Sequence, residues 1–205
     1  TNTFTNEVIF QNTGTLNLGN AAGDTFTFND GVTESTSGTV TLASTISSSN
    51  DVISFGAVTL GANTTIDTNA SSTTGDLTLG VVTGGSNTLT LSTGNNVNDS
   101  DITASGNISG VTTLTLADVG GTATLSGDVD VTTLAVGNTV ANVAFTGNGS
   151  SVASSFTPNN DGTFVFGASG GTQTYNGGLN TASVDGTVTL NGTIASSDDA
   201  LTFGA

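Results

Sequence analysis

Apolar residues along this 205-residue chain alternate with Thr, Ser and Asn instead of recurring at helical spacing. Gly14-Thr-Leu-Asn-Leu18, Gly38-Thr-Val-Thr-Leu42, Asn87-Thr-Leu-Thr-Leu91, Gly162-Thr-Phe-Val-Phe166 and Gly186-Thr-Val-Thr-Leu190 share one pattern: a corner, Thr, then apolar, polar, apolar. Period two in short runs bounded by Gly or Asn predicts short strands with one buried face. Gly and Asn tolerate positive φ, which suits them to the corners. β-branched Thr and Val favour the extended chain. No window carries the apolar stripe of an amphipathic helix.

The corner recurs. Units begin at Thr15, Thr39, Thr64, Thr88, Thr113, Thr139, Thr163 and Thr187, separated by 24, 25, 24, 25, 26, 24 and 24 residues. The third unit fits better with Thr65 starting its strand, and the fifth has Thr112 at its corner. Thr187–Ala205 also copies Thr39–Ala57 without a gap, with 12 of 19 positions identical at a separation of 148 residues. A unit of about 25 residues is too small for a propeller blade of roughly 40–50, and the leucine-rich-repeat signature is missing. It fits one coil of a solenoid, with coils stacked about 4.8 Å apart like strands in a sheet.

The expected fold is therefore all-β: a parallel β-helix (β-solenoid) of about eight coils, roughly 25 residues per coil, with two or three short strands in each. Residues 8–205 form the single solenoid domain, and residues 1–7 precede it as a tail or connector. In a strand such as Thr88–Leu91, Leu89 and Leu91 are expected to point inward and Thr88 and Thr90 outward. An Asp lies 9 to 15 residues beyond the corner Thr in units one to five and again, as Asp199, in unit eight. It is expected to make an Asx-type turn that starts the second strand.

Composition narrows the chemistry. There are 29 Gly, one Pro, and no Cys, His, Met or Trp; 16 acidic residues stand without one Lys or Arg, for a formal charge of −16. Without Cys there is no disulfide framework or thiolate metal site. Without His, Cys or Lys most nucleophile–base pairs are unavailable, so the chain is not expected to be an enzyme and no catalytic residue is assigned. Nucleic acid is an excluded partner, because neutralising phosphates takes basic side chains. No apolar run reaches membrane-spanning length, so no transmembrane segment is expected. The one candidate small ligand is calcium. Asn96, Asn98, Asp99 and Asp101 place several oxygen donors in one loop, and Ca²⁺ takes six to eight oxygens. Otherwise no cofactor is called for.

The Gly/Asn-Thr-Leu-Thr-Leu units, the Phe-Gly-Ala endings at Phe55–Ala57 and Phe203–Ala205, and Gly171-Thr-Gln-Thr-Tyr-Asn-Gly177 resemble large bacterial repeat exoproteins. These include filamentous-haemagglutinin-type adhesins and autotransporter passengers, whose fold is a right-handed parallel β-helix. The resemblance is one of repeat style over nearly the whole chain. It implies secretion and work at the cell surface or outside it, and it carries no functional residue across.

Three functions compete on these grounds. The first is a structural subunit that self-assembles head to tail into an extracellular fibre or surface filament. The second is an adhesive or spacer segment of a larger secreted surface protein, its receptor or carbohydrate partner unidentified. The third is ice binding, prompted by outward Thr pairs at Thr39/Thr41, Thr88/Thr90, Thr113/Thr115 and Thr187/Thr189. Assembly has a specific form. The last coil reads as lacking a strand, which Val8, Ile9 and Phe10 of a neighbouring copy would supply against Leu201 and Phe203. The partner is then a second copy of the chain.

Overall fold

The computed structural model describes residues 1–34, 36, 38–71, 75–94 and 99–204. It is an all-β, parallel solenoid of about nine turns with about 21 residues per turn. In chain order, β1 (Asn2–Phe4) comes first, then a coil of β2 (Val8–Phe10), β3 (Leu16–Leu18) and β4 (Thr25–Phe28). The second coil is β5 (Val32–Glu34), β6 (Thr39–Leu42) and β7 (Thr45–Ser48). The third is β8 (Ile53–Phe55), β9 (Ala57–Leu60) and β10 (Thr64–Asp67), and the fourth β11 (Leu77–Leu79), β12 (Val82–Thr83) and β13 (Thr88–Ser92).

In the next two coils the second and third strands fuse. The fifth coil is β14 (Ile102–Ala104) and the long β15 (Ile108–Ala117); the sixth is β16 (Val119–Leu125) and β17 (Val129–Val136). The seventh holds β18 (Val140–Phe145), β19 (Ser151–Val152) and a single bridge at Phe156. The last two are β20 (Phe164–Phe166), β21 (Thr172–Tyr175), β22 (Leu179–Asn180), and β23 (Val188–Leu190), β24 (Thr193–Ala195), β25 (Leu201–Thr202).

Three faces run the length of the rod. Face A is β2-β5-β8-β11-β14-β16-β18-β20-β23, all parallel. Face B begins β3-β6-β9-β12 and ends β19-β21-β24, and face C begins β1-β4-β7-β10-β13. The two merge at β15 and β17, where one strand serves both. Each turn visits A, B and then C.

Side-chain alternation converts these ladders into a core. On face A the inward rungs are Val8, Val32, Ile53, Leu77, Ile102, Ala123, Val143, Phe164 and Val188, in register across nine coils. Thr33, Ser54, Thr78, Thr103 and Thr124 stack on the outside of the same strands. Leu89 and Leu91 are fully buried, as alternation requires. Burying such a side chain contributes about 1.5–3 kcal/mol, which no single coil could obtain without its neighbours. Toward the C-terminal end the filling turns aromatic: Phe164 and Phe166 stack at 4.0 Å, and Phe156 stacks on Tyr175 at 5.9 Å.

The turn is shorter than the sequence repeat, and the reason lies in the motif. Thr15 and Thr39 both lead onto face B, but Thr64 lies on face C and Thr139, Thr163 and Thr187 lead onto face A. The steps from Thr39 to Thr64 and from Thr113 to Thr139 thus advance one strand beyond a full turn. A corner followed by in-out-in serves any face equally well, so the motif specifies a strand and leaves its side of the rod open. The long echo shows the same slip: Thr39–Leu42 is on face B, and its copy Thr187–Leu190 is on face A.

Corners need residues with special backbones. Gly19 has φ +87°, and a Cβ there would lie 2.6 Å from the Ala43 carbonyl oxygen of the next coil.

Candidate functional site: the rod ends and the acidic corners

The carboxylates expected to make local Asx turns do something else in several coils: they reach along the rod. Asp76 Oδ1 accepts from the Asp101 N–H at 2.9 Å, and Asp101 Oδ1 accepts from the Thr122 N–H at 2.7 Å. A second file runs beside it, from Asn107 Oδ1 to the Asp128 N–H at 3.0 Å and from Asp128 Oδ1 to the Gly149 N–H at 2.7 Å. Each link joins one coil to the next, satisfying a corner N–H or, at Thr122, an N–H at the bulge of β16. Asp24 and Asp67 are the local cases, accepting from Asn20 N–H and Asn69 N–H at 2.9 Å each.

This bears on the calcium candidate. Asn96 and Asn98 lie outside the described residues. Asp99 is exposed with φ 83°, and the Asp101 carboxylate accepts through Oδ1 from the Thr122 N–H. Among the described residues no group of three or more acidic side chains is gathered to hold a metal ion.

The four outward Thr pairs do not share a plane. Thr39/Thr41 stand on face B, Thr88/Thr90 and Thr113/Thr115 on face C, and Thr187/Thr189 on face A. A depression of about 620 Å³ at the last corner is lined by Thr181, Asp185, Gly186, Thr187 and Gly204. Its single carboxylate, Asp185, stands in a chain without Lys, Arg, His or Cys.

Among the described residues, the outermost strands of the first and last coils are paired on one side only. At the first coil β1, β2 and β3 each pair on one side only, with β4, β5 and β6. At the last coil β23, β24 and β25 likewise pair on one side only, with β20, β21 and β22. Of the assembly residues named from sequence, Ile9 is 52% and Phe203 43% exposed, and Val8, Phe10 and Leu201 are half-buried. Phe4 (37%) and Leu190 (43%) are exposed in the same coils.

Two details of the sequence expectation change here. The last coil does not lack a strand, because β25 fills face C. Residues 2–4, assigned to the tail, form β1 and lie on face C against β4. No protein-family profile, no curated protein and no solved structure matches this chain. No helix among the described residues is long and apolar enough to cross a membrane.

Proposed function

We propose that this protein is a structural rod, a β-solenoid whose end coils stack on further coils of its own kind to build an extracellular fibre or surface filament. The observation that carries the reading is the coil-on-coil core: inward residues keep register across nine coils, and each coil buries them only against its neighbours. A coil without a neighbour on one side leaves one strand edge per face unpaired. Open edges of this sort pair readily with another chain. A head-to-tail contact does not close on itself, so it propagates.

The chemistry agrees with that role. Outward positions are mostly Thr and Ser, with Ile9, Val165 and Ala135 among the exceptions, and the sequence has no basic side chain. In the same reading the protein works outside the cell, as the repeat exoproteins it resembles do, and a chain without Lys or Arg gives trypsin-like proteases no site. Negative-stain microscopy at rising protein concentration tests the proposal. Unbranched rods that lengthen with concentration are expected from the full chain, and folded monomers from a Leu190→Asp variant. A full chain that stays monomeric at high concentration contradicts it.

A further inference from the structure

Face C is interrupted in the middle of the rod, between coils that have neighbours on both sides. From the fifth coil to the sixth, β15 and β17 pair along faces B and C with one bulge. From the sixth to the seventh, face A is laddered from Val119↔Val140 to Leu125↔Phe145, and face B keeps Asp130↔Ser151 and Val131↔Val152. Face C has no strand pair at this step among the described residues. Two single bonds frame the break: Ser154 N–H donates to the Thr132 carbonyl at 2.7 Å, and Asn159 N–H to the Val136 carbonyl at 3.1 Å. The acceptors are four residues apart (136 − 132) and the donors five (159 − 154), so the seventh coil carries one residue too many to stay in step. Pro158, beside Asn159, has no N–H to offer.

What the seventh coil gives up toward the sixth it gives to the eighth. Phe156 N–H donates to the Gly178 carbonyl, and the Phe156 carbonyl accepts from the Asn180 N–H, both at 3.0 Å. The buried Phe156 ring packs with Phe164, Phe166 and Tyr175 at centroid separations of 5.9, 6.4 and 5.9 Å. On the other side of the break the inward residues, Leu134 and Val136, are aliphatic. A depression of about 460 Å³ lies over it, with Ala135, Gly137, Ser155 and Thr157 in its lining. Leu134 and Val136 are 4% and 5% exposed, against 0% and 1% for Leu114 and Leu116 one coil earlier.

We infer that this junction is a joint: the rod bends between its sixth and seventh coils, with the face A ladder as the hinge line and face C as the side that opens. A side held by two single bonds opens at less cost than one held by a five-pair ladder, which would lose its backbone bonds together. The stretch that absorbs the movement is 153–159, anchored to the sixth coil on face C only through Ser154 and Asn159. In the fibre proposed above, such joints let a filament curve while every coil stays wound. The joint itself is a property of the single molecule and does not need assembly.

The chain has no Cys, so spin labels can be placed cleanly. Three double-cysteine variants, at outward positions, each span five coil spacings of about 4.8 Å, a separation of about 24 Å. Thr25→Cys with Ala135→Cys lies on face C within the first six coils. Thr65→Cys with Asn180→Cys lies on face C across the junction. Ser54→Cys with Val165→Cys crosses the junction on face A. Label-to-label distances are measured on dilute monomers, with circular dichroism verifying the fold. The first and third pairs are expected to give narrow distributions, and Thr65/Asn180 a broader one with a longer mean. A Thr65/Asn180 distribution as narrow as the other two overturns the inference. Equal broadening of all three also overturns it, because the whole rod is then pliant. Since the readout is taken on monomers, a chain that forms no filament overturns the fibre reading alone and leaves the joint standing.

Discussion

Thr39-Val-Thr-Leu42 and Thr187-Val-Thr-Leu190 are the same four residues in two places. In the second coil Leu42 and Val40 are 0% exposed; in the last coil Leu190 is 43% exposed and Val188 only half-buried. Both stretches are strands with the same alternation, so local conformation does not separate them. What differs is the number of neighbours: β6 lies between β3 and β9, whereas β23 touches β20 alone. In a solenoid the burial of a residue is therefore set by whether a coil lies on each side of it. In the proposed fibre, further coils would complete the burial that β23 lacks here.

The widest gap should appear on truncating the two equivalent leucines. Leu42→Ala is expected to lower unfolding stability by about 2–5 kcal/mol, the usual cost of a core cavity. Leu190→Ala in the monomer should cost less than about 1 kcal/mol, because solvent already reaches the site. Urea titrations of both variants would measure this, and equal losses would break the comparison.

A smaller effect is expected where the interior is polar. Gln173 is 1% exposed; its Nε2 donates to the carbonyls of Phe145 (2.8 Å) and Gly147 (3.1 Å), and Tyr175 Oη donates to its Oε1 at 2.9 Å. Gln173→Ala strands all three partners and should cost about 1–3 kcal/mol. Burial raises the Tyr175 phenol above its ordinary value of 10.0. The unfolded chain thus releases this proton first, so stability is full below about pH 10 and falls as pH rises beyond it. Tyr175→Phe should flatten that alkaline decline, seen as Tm against pH.

Weaker still are the axial links at the corners. Asp101→Ala leaves the Thr122 N–H, at the bulge of β16, without its acceptor, and with Asp101 itself exposed the loss should be about 1 kcal/mol or less. Hydrogen exchange at Thr122 should accelerate by more than at distant corners. The smallest response is to salt. With 16 acidic and no basic side chains, raising ionic strength from low to moderate should lift Tm slightly by screening repulsion. A fall in Tm would contradict this.

The sequence made the strand pattern legible because inward Leu, Val and Phe alternate with outward Thr. It hid strands whose inward residues are polar. β7 passes unnoticed because Ser48 points inward, and the structure satisfies its hydroxyl on the carbonyls of Asp51 (2.5 Å) and Thr68 (3.0 Å). β5 is masked by Glu34, only 8% exposed, whose Oε1 accepts from the Thr36 N–H at 2.8 Å. Which face a strand joins was not legible at all, since Gly38-Thr-Val-Thr-Leu42 and Gly186-Thr-Val-Thr-Leu190 have the same residues and different faces. Ile9 and Phe203, named from the sequence for assembly, are both exposed; Ile9 lies opposite outward Thr33, so its exposure follows from alternation.

Hydrogen exchange of the end strands in monomer and filament tests the central claim most directly. If further coils complete the burial in the fibre, open-edge amides of Val8–Phe10 and Val188–Leu190 exchange fast in the monomer and slow together in the filament, approaching the protection of Leu89 and Leu114. Filaments in which both segments keep their monomer rates would contradict the account.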